Sequence, residues 1–480
     1  MSLRVAFAHT IAARAVSVAV MAVGFAVLSR LLPPEAFGHF AVALAIYGLA
    51  QVVVSFGLRP KIISRGDDHS ADEIAAAAGL SLLIGAVLCG LGLATAATMG
   101  GRLIPAPLAA ALVPVSLALL VEPFALGPEA RLQRELRFGL ISVGSVLGVT
   151  VDAAVGIGLA YAGFGAAALA GGILASRVAV ALLLILCADP ALQARPRLRA
   201  GVAAWGRLRV WGQRMTLMEN LPQLSKLAMI GGLSAFQGAA GLGIFDRAQT
   251  IHRILDKALL DGIKPVVLPA FSGALRKGAE PRQLYRAKLD YLSVLCWPSF
   301  ALIALLAEDL VAVLLGAGWD EAVPIVRILA LMGIALPATK MSQNLFIALG
   351  EADAFLRIEV TREAIRVPLA LAGALVSLEA FAFAYVAGNW LKAIGTTRHL
   401  HRITGGPDGG YALIAWRAAG ASLAALVGPV ALHFLADLSS AATLALSLFL
   451  ATAGWLAGVG LLRHPIVDEL RNAVRRVRGA

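Results

Sequence analysis

The sequence predicts an all-α polytopic membrane protein with about 14 transmembrane helices, and three observations indicate this class. Of the 480 residues, 59% are hydrophobic and 15% are charged, whereas a soluble domain carries about 25% charged residues. The mean hydropathy is +0.82. Apolar runs recur along the whole chain, and each is near the roughly twenty residues that a helix needs to cross a bilayer.

Windows of about nineteen residues define the individual spans. The first is as long as a full span, and no small-residue cleavage site precedes the second, so we interpret it as a retained helix and not as a signal peptide. In chain order the predicted spans lie near 10–31, 37–57, 74–97, 107–127, 139–161, 166–188, 213–234, 241–263, 289–314, 324–349, 360–377, 380–397, 411–434 and 441–462.

The connections between these spans alternate sharply in charge. One set holds 27 of the 41 Lys and Arg residues and consists of 1–9, 58–73, 128–138, 189–212, 271–288, 350–366, 398–410 and 463–480. The opposite set holds one basic residue, Arg102. Because positive connections stay on the cytoplasmic side, both termini are predicted to be cytoplasmic. This topology accounts for the net charge of +12, so no nucleic-acid partner is invoked, and the basic tail 471–479 is expected to lie against membrane lipid head groups.

An internal repeat relates spans two and eight. Residues 37–63 align without gaps over 242–268, at an offset that matches Gly38 with Gly243 and Arg59-Pro60 with Lys264-Pro265. Six spans separate the matching helices, and an even number preserves their direction, so the repeats are parallel about an axis along the membrane normal. Two such lobes with a substrate site between them form a transporter architecture. The predicted domains are an N-lobe at 1–200 with spans one to six, a C-lobe at 201–403 with spans seven to twelve, and 404–480 with the last two spans and a basic cytoplasmic tail.

Motifs for catalysis are absent from the sequence. There is no GxxxxGK[ST] phosphate loop, no nucleophile elbow and no pair of histidines at metal spacing. The three cysteines, Cys89, Cys187 and Cys296, stand alone within apolar runs, as packing residues do. We therefore predict no enzymatic activity, no cofactor and no bound metal.

Charged residues concentrate in spans seven and eight. In span eight the polar positions step by four, three, four, four and three residues, which places them on one stripe of a helix: Asp246, Thr250, Arg253, Lys257, Asp261 and Lys264. The eighth span also contains Arg247. A similar line in span seven consists of Thr216, Glu219 or Asn220, Gln223 and Lys226, with Arg214 at its entrance. Each charge at the centre of a span costs at least about 2.5–3.5 kcal/mol, so these helices must face water or each other.

Two interpretations of the stripe remain open. Arg253 with Asp256, or Lys257 with Asp261, could neutralise one another as a structural seam. Alternatively the stripe lines a hydrated cavity, with Arg177 of span six reaching it and Arg14 near its inner mouth. Basic residues exceed acidic ones on both stripes, which favours an anionic ligand, and arginine suits phosphate because it donates in a bidentate fork.

Asp152 in span five also has two readings. Its carboxylate could bind a coupling cation or a proton, or it could make a polar contact between helices.

Three blocks resemble a known family. They are "SRLLPPEAFGHFAVALAIYGLAQVVVSFGLRPKIISR" at 29–65, "LGIFDRAQTI" at 242–251, and "LLGAGWDEAVPIVRILAL" at 314–331 followed by "ALGEADAFLRI" at 348–358. The chain up to about residue 400 resembles the bacterial polysaccharide transporters, the oligosaccharide flippases of the multidrug/oligosaccharidyl-lipid/polysaccharide superfamily.

This resemblance implies fourteen helices in two six-helix lobes plus a C-terminal pair, the MATE-like arrangement. It also implies transport of a polyprenyl-diphosphate-linked oligosaccharide, such as an O-antigen or exopolysaccharide repeat unit, from the cytoplasmic to the periplasmic leaflet of the bacterial inner membrane. A polymerase and other glycan-assembly proteins are the expected partners. Arg247 belongs to the family signature, but the residue before it is usually Ser or Asn. Here it is Asp246, which could bind a cation or tether Arg247.

Two alternative functions are compatible with a polytopic chain. Cation-coupled multidrug efflux within the same superfamily usually uses an acidic or apolar cavity, which the basic excess disfavours. A membrane glycan polymerase or ligase would be expected to carry a large outer loop with Arg and His, and every predicted outer connection is short.

Overall fold

A computed structural model of the chain describes residues 3–55, 71–134, 137–187, 196–260, 271–403 except 272, 276 and 341, 410–436, 438–469 and 471. Within these residues the regular secondary structure is helical, apart from one isolated bridge between Gly100 and Ile104. The helices are α1 (Leu3–Leu31), α2 (Pro34–Ser55), α3 (Ala71–Met99), α4 (Ala106–Arg134), α5 (Phe138–Tyr161), α6 (Ala166–Cys187), α7 (Leu198–Leu260), α8 (Pro281–Leu305), α9 (Ala307–Leu314), α10 (Ala322–Ala330), α11 (Met332–Thr339), α12 (Ser342–Ala348), α13 (Ala352–Val376), α14 (Leu378–Ile403), α15 (Gly410–Leu435) and α16 (Ser440–Leu461).

Every predicted span overlaps one or more of these helices, which confirms the all-α class. Spans seven and eight both fall in α7, and the break between them lies at Gly238, where φ is 74° and ψ is 176°. A positive φ costs a residue with a Cβ about 1–2 kcal/mol, so glycine allows the chain to change direction here.

Nine helices in the described residues are long and apolar enough to cross a membrane, or ten if the bent pair Ala322–Ala330 and Met332–Ala348 is one span. The segment Asn220–Lys257 is one of the nine, although Gly238 divides it. Helices α13 and α14 are 25 and 26 residues long but carry charged side chains in their first halves or near their ends. The chain is a multi-pass membrane protein, and the count of fourteen stays a prediction.

Helix α13 covers most of the predicted connection 350–366, because it begins at Ala352 and continues to Val376. Arg366 is 7% exposed within this helix. The predicted span 360–377 begins later than the helix because the arginines lower the mean hydropathy. Their charges are compensated by acidic partners one turn away, which a mean hydropathy does not take into account.

The chain divides into two compact units, residues 1–247 and 248–480. In the first, α6 packs against α5 and α4, α4 packs against α3 and α2, and α1 lies along α5. Helices α2 and α7 approach most closely at two glycines, since a Cβ on Gly38 would overlap the carbonyl oxygen of Ala239 and a Cβ on Gly243 would overlap that of Pro34. Small residues permit such close backbone contact between membrane helices.

In the second unit, α13 pairs with α14 and α15 pairs with α16. Helix α8 contacts α15 and α11, and its core side chains Leu292, Cys296 and Phe300 pack with Leu336. The pair of α15 and α16 presents large apolar side chains outward, with Leu423 and Val427 each 68% exposed. In water such a surface would be an aggregation site, whereas in a bilayer it is the normal lipid-facing surface.

Candidate functional site

A buried carboxylate organises a polar cluster in the first unit. Glu122 on α4 accepts hydrogen bonds at Oε1 from the Tyr47 hydroxyl at 2.5 Å and from Gln51 Nε2 at 2.8 Å, both on α2. The Nε atom of Arg177, on α6, lies 3.3 Å from the same oxygen. The Arg177 side chain is 41% exposed and that of Glu122 is 11% exposed. Three helices therefore meet at one oxygen atom, and a cation stands at the open side of the cluster.

Asp152 lies close to this cluster. It sits on α5, where a Cβ built on Gly172 of α6 would come within 2.6 Å of an Asp152 carboxylate oxygen. Its charge interacts with that of Arg177 five residues further along α6. The close contact at Gly172 places the Asp152 carboxylate against α6, the helix that carries Arg177.

Arg247 and Asp246 form an adjacent ion pair. Arg247 donates from Nη2 to Asp246 Oδ2 at 2.6 Å and from Nε at 3.2 Å. The guanidinium lies over the ring of Phe37, 4.2 Å from its centroid, and 4.9 Å from that of Phe25. With Arg247 only 8% exposed, its charge is engaged by a carboxylate and two aromatic faces.

Thr250, Arg253 and Lys257 of the span-eight stripe lie in the second unit. Arg253 and Lys257 are exposed, and Arg253 donates to Thr250 one turn earlier. Asp256, which could have paired with Arg253, is instead 2.5 Å from Lys340 Nζ. Asp256 is thus paired with a residue 84 positions away in the chain. Arg253 and Lys257 are exposed side chains on the same helix.

A chain of alternating charges runs between α13 and α14. Lys392 of α14 pairs with Glu359, which also pairs with Arg362 at 2.6 Å. Arg362 pairs in turn with Glu363, and Glu363 with Arg366 at 2.8 Å. All five side chains are less than 20% exposed. Each charge has an opposite neighbour, which is how a buried charge avoids the cost of an unpaired ion.

The remaining predicted site residues are placed as follows. Lys226 is half-buried on α7. The side chains of Arg14, Arg214 and Glu219 lie outside the described part, although their helices are described. Asp261 and Lys264 lie outside the described residues.

Sequence reasoning missed Glu122, Tyr47 and Gln51. One signal was available, since Glu122 is an acid inside the predicted span 107–127 and intramembrane acids usually have a function or a partner. The ion pairs of α13 were not predicted because the sequence does not show which of its charges lie close together.

Chemically, the described residues supply cations for reversible anion binding. Among them no group of three or more His, Cys, Asp or Glu side chains could hold a metal ion. Exposed guanidinium and ammonium groups on otherwise apolar helices can bind a phosphate or a carboxylate and release it again.

The fold defines the class of protein. The structure of the lipid II flippase MurJ in an inward closed conformation matches 96% of this chain and 100% of its own, with a TM-score of 0.77 at 11% identity. An inward-facing MATE-family multidrug resistance transporter of the MOP superfamily matches 82% of this chain and 94% of its own, with a TM-score of 0.57 at 16% identity. The chain has the fold of the MOP-superfamily transporters.

The sequence then gives the family. The family model described as "Polysaccharide biosynthesis protein" matches residues 27–324, more than half of the chain, and the chain belongs to this family. It is accordingly a multi-pass membrane protein of a polysaccharide-biosynthesis family.

Two curated relatives are similar over most of the chain. The succinoglycan biosynthesis transport protein ExoT of Rhizobium meliloti (strain 1021) is 26% identical over 317 residues, 65% of this chain and 63% of ExoT. The lipopolysaccharide biosynthesis protein WzxC of Escherichia coli (strain K12) is 23% identical over 351 residues, 72% of this chain and 70% of WzxC. The chain thus spans just under two thirds of the length of ExoT.

Proposed function

We propose that this chain is a flippase that moves a polyprenyl-diphosphate-linked oligosaccharide from the cytoplasmic to the periplasmic leaflet of the bacterial inner membrane by alternating access. The carried glycan would be an O-antigen or exopolysaccharide repeat unit, and the partners would be a polymerase and other glycan-assembly proteins. The names of ExoT, WzxC and MurJ support this substrate class.

The observation that carries the proposal is the exposure of Arg253 and Lys257 on a helix that otherwise qualifies as a membrane span. Asp256, which could have paired with Arg253, is paired with Lys340. Arg253 and Lys257 therefore present basic side chains at the surface of this helix. Such charges are costly in lipid and are stable where they meet water or an anion. A diphosphate head group is an anion of the required kind, while the polyprenyl tail stays in lipid.

We propose that Arg177 of the first unit and Arg253 and Lys257 of the second bind the diphosphate head group during transport. The further cations Arg14, Arg214, Lys226 and Lys264 and the acids Glu219 and Asp261 are proposed to line its path. Arg247 is proposed as a scaffold residue that Asp246 tethers, because the contacts with Phe25 and Phe37 already use its charge. Asp152 is then the better candidate than Asp246 for a coupling ion, and the energy would come from an ion gradient or from consumption of the product outside.

The proposed architecture is fourteen spans in two parallel six-helix repeats, 1–200 and 201–403, followed by the pair in 404–480, with both termini cytoplasmic. The crossing of α2 and α7 supports the repeat. Gly38 contacts Ala239, and Gly243 contacts Pro34. The repeat aligns Gly38 with Gly243 and Pro34 with Ala239, so the two contacts are equivalent. Reciprocal contacts of this kind are expected across a two-fold axis.

The test is replacement of Arg253 and Lys257 by alanine in the full chain. We expect the double variant to reach the membrane at normal amount but to lose export of the glycan, with lipid-linked repeat units accumulating on the cytoplasmic side. Arg102→Ala with Arg327→Ala is the matched control, because it removes two exposed arginines, of which Arg102 is in a loop and Arg327 pairs with an exposed Glu308. Normal export by R253A/K257A would refute the site.

A further inference from the structure

We propose that Glu122 competes with the anionic head group for Arg177, so that it occupies this arginine when the site is empty and yields it when the substrate binds. The inference rests on the proposed function and concerns the regulation of the same site. It follows from how two hydrogen-bond donors, Tyr47 and Gln51, and one ion-pair partner, Arg177, are arranged around one carboxylate oxygen of Glu122.

The contact with Arg177 is the longest of the three. Tyr47 and Gln51 approach Glu122 Oε1 at 2.5 and 2.8 Å, whereas Arg177 Nε stands at 3.3 Å. Charge-assisted bonds of full strength are about 2.7–2.9 Å long and are often bidentate. The pair between Arg177 and Glu122 is a single, long contact, which a diphosphate oxygen pair could replace with a shorter, two-pronged one.

Glu122 does not depend on Arg177 for its stability. When the arginine leaves, the hydroxyl of Tyr47 and the amide of Gln51 still donate to the carboxylate, so it keeps two partners. A buried carboxylate without donors would resist the exchange, because an unpaired ion in a low-dielectric site is expensive. The two neutral donors therefore lower the cost of releasing the arginine.

Arg177 is also accessible enough to exchange partners. Its side chain is 41% exposed, while Glu122 is 11% exposed, so an incoming anion reaches the arginine and not the acid. The other charges that act on Arg177 are the carboxylates of Glu129 and Asp152. Glu122 is the acid in direct contact with the guanidinium.

This arrangement predicts opposite effects for two substitutions within one cluster. Glu122→Gln removes the competing charge and keeps the shape, so an anion should bind Arg177 more tightly. Tyr47→Phe removes a neutral donor, so Glu122 relies more on Arg177 and an anion should bind less tightly. If the cluster had only a structural role, both substitutions should change the affinity for the anion in the same direction, because each removes one contact of the same cluster.

The experiment uses the purified full chain in phosphatidylcholine nanodiscs, with farnesyl diphosphate as the probe and titration calorimetry as the measurement. Farnesol reports apolar binding without the diphosphate. We expect E122Q to bind farnesyl diphosphate about three- to tenfold more tightly than the unaltered chain, which is about 0.7–1.4 kcal/mol. We expect Y47F to bind it more weakly. The matched control, Glu308→Gln, changes an exposed paired carboxylate and should leave the affinity unchanged.

Arg177→Gln distinguishes the failure of the proposed anion site from the failure of the competition by Glu122. If the unaltered chain binds the diphosphate and R177Q binds it more weakly, the proposed site is supported. The combined variant R177Q/E122Q should then bind no more tightly than R177Q. Unchanged or weaker binding by E122Q in that setting overturns the competition while the site stands. No diphosphate-dependent binding by the unaltered chain, or full binding by R177Q, overturns the proposed site and the competition with it.

Discussion

The backbone nitrogen of Gly38 lies 3.1 Å from the position that a Cβ atom would occupy on Gly243, so α2 and α7 meet at two glycines that the internal repeat aligns with each other. The contact leaves no room for a side chain on either helix. It places the start of span eight against α2 and so determines where its charged stripe begins.

Gly243→Ala should therefore destabilise the protein. The added methyl would overlap the carbonyl oxygen of Pro34, which is backbone and cannot rotate away. We expect a loss of about 1–3 kcal/mol in the free energy of unfolding, seen as a lower thermal midpoint in detergent. Gly231→Ala in the same helix is the control, because nothing lies within 4 Å of its Cβ position and alanine favours helix. Equal midpoints for the two variants would show that the crossing is loose.

The proposed orientation can be tested by cysteine labelling. In a chain with Cys89, Cys187 and Cys296 replaced, Ala235→Cys lies at the break in α7 and Lys277→Cys lies between α7 and α8, and both positions are exposed. We expect a membrane-impermeant maleimide to label residue 235 in right-side-out vesicles and residue 277 only after permeabilisation. The reverse pattern would place the termini outside.

The charge chain of α13 and α14 predicts a large effect for one acid. Glu363→Ala leaves the buried Arg362 and Arg366 without their shared carboxylate, and breaking a buried pair in this way costs about 3–5 kcal/mol. We expect a strongly lowered thermal midpoint or a loss of folded protein from the membrane. Glu308→Ala removes an exposed acid paired with Arg327 and should cost about 0–1 kcal/mol. If the two variants are equally stable, the network contributes no stability.

Asp290 joins the last two helices to α8. Its Oδ2 atom accepts from Arg417 Nη1 of α15 at 3.1 Å, and its Oδ1 atom lies 3.2 Å from His464 Nε2. Asp290→Ala should lower the free energy of unfolding by about 1–3 kcal/mol, because it leaves partly buried donors without an acceptor. Thermal unfolding beside the exposed Asp320→Ala as control provides the measurement. An unchanged midpoint for Asp290→Ala would mean that apolar contacts, such as those of Val294 with Ala421 and Val459, are sufficient to hold α15 and α16 against α8.

Much of the fold was predictable because hydropathy and helical period are local properties. The positions of the spans, the division of α7 near residue 238 and the stripe of Arg253 and Lys257 all follow from residues close together in the chain. The ion pairs of α13 are not a local property of this kind. Arg362 and Arg366 are compensated by side chains that a window of mean hydropathy counts as further polarity.

The sequence by itself determined the class of protein, the approximate spans and the excess of base on span eight, because each depends on composition and periodicity. The tertiary structure decided which charges neutralise one another. Asp256 is paired with Lys340, 84 positions away, and Glu122 accepts a hydrogen bond from Tyr47, 75 positions away. The energy of an ion pair depends on the distance between two atoms and on their burial, and neither quantity exists until the helices have packed.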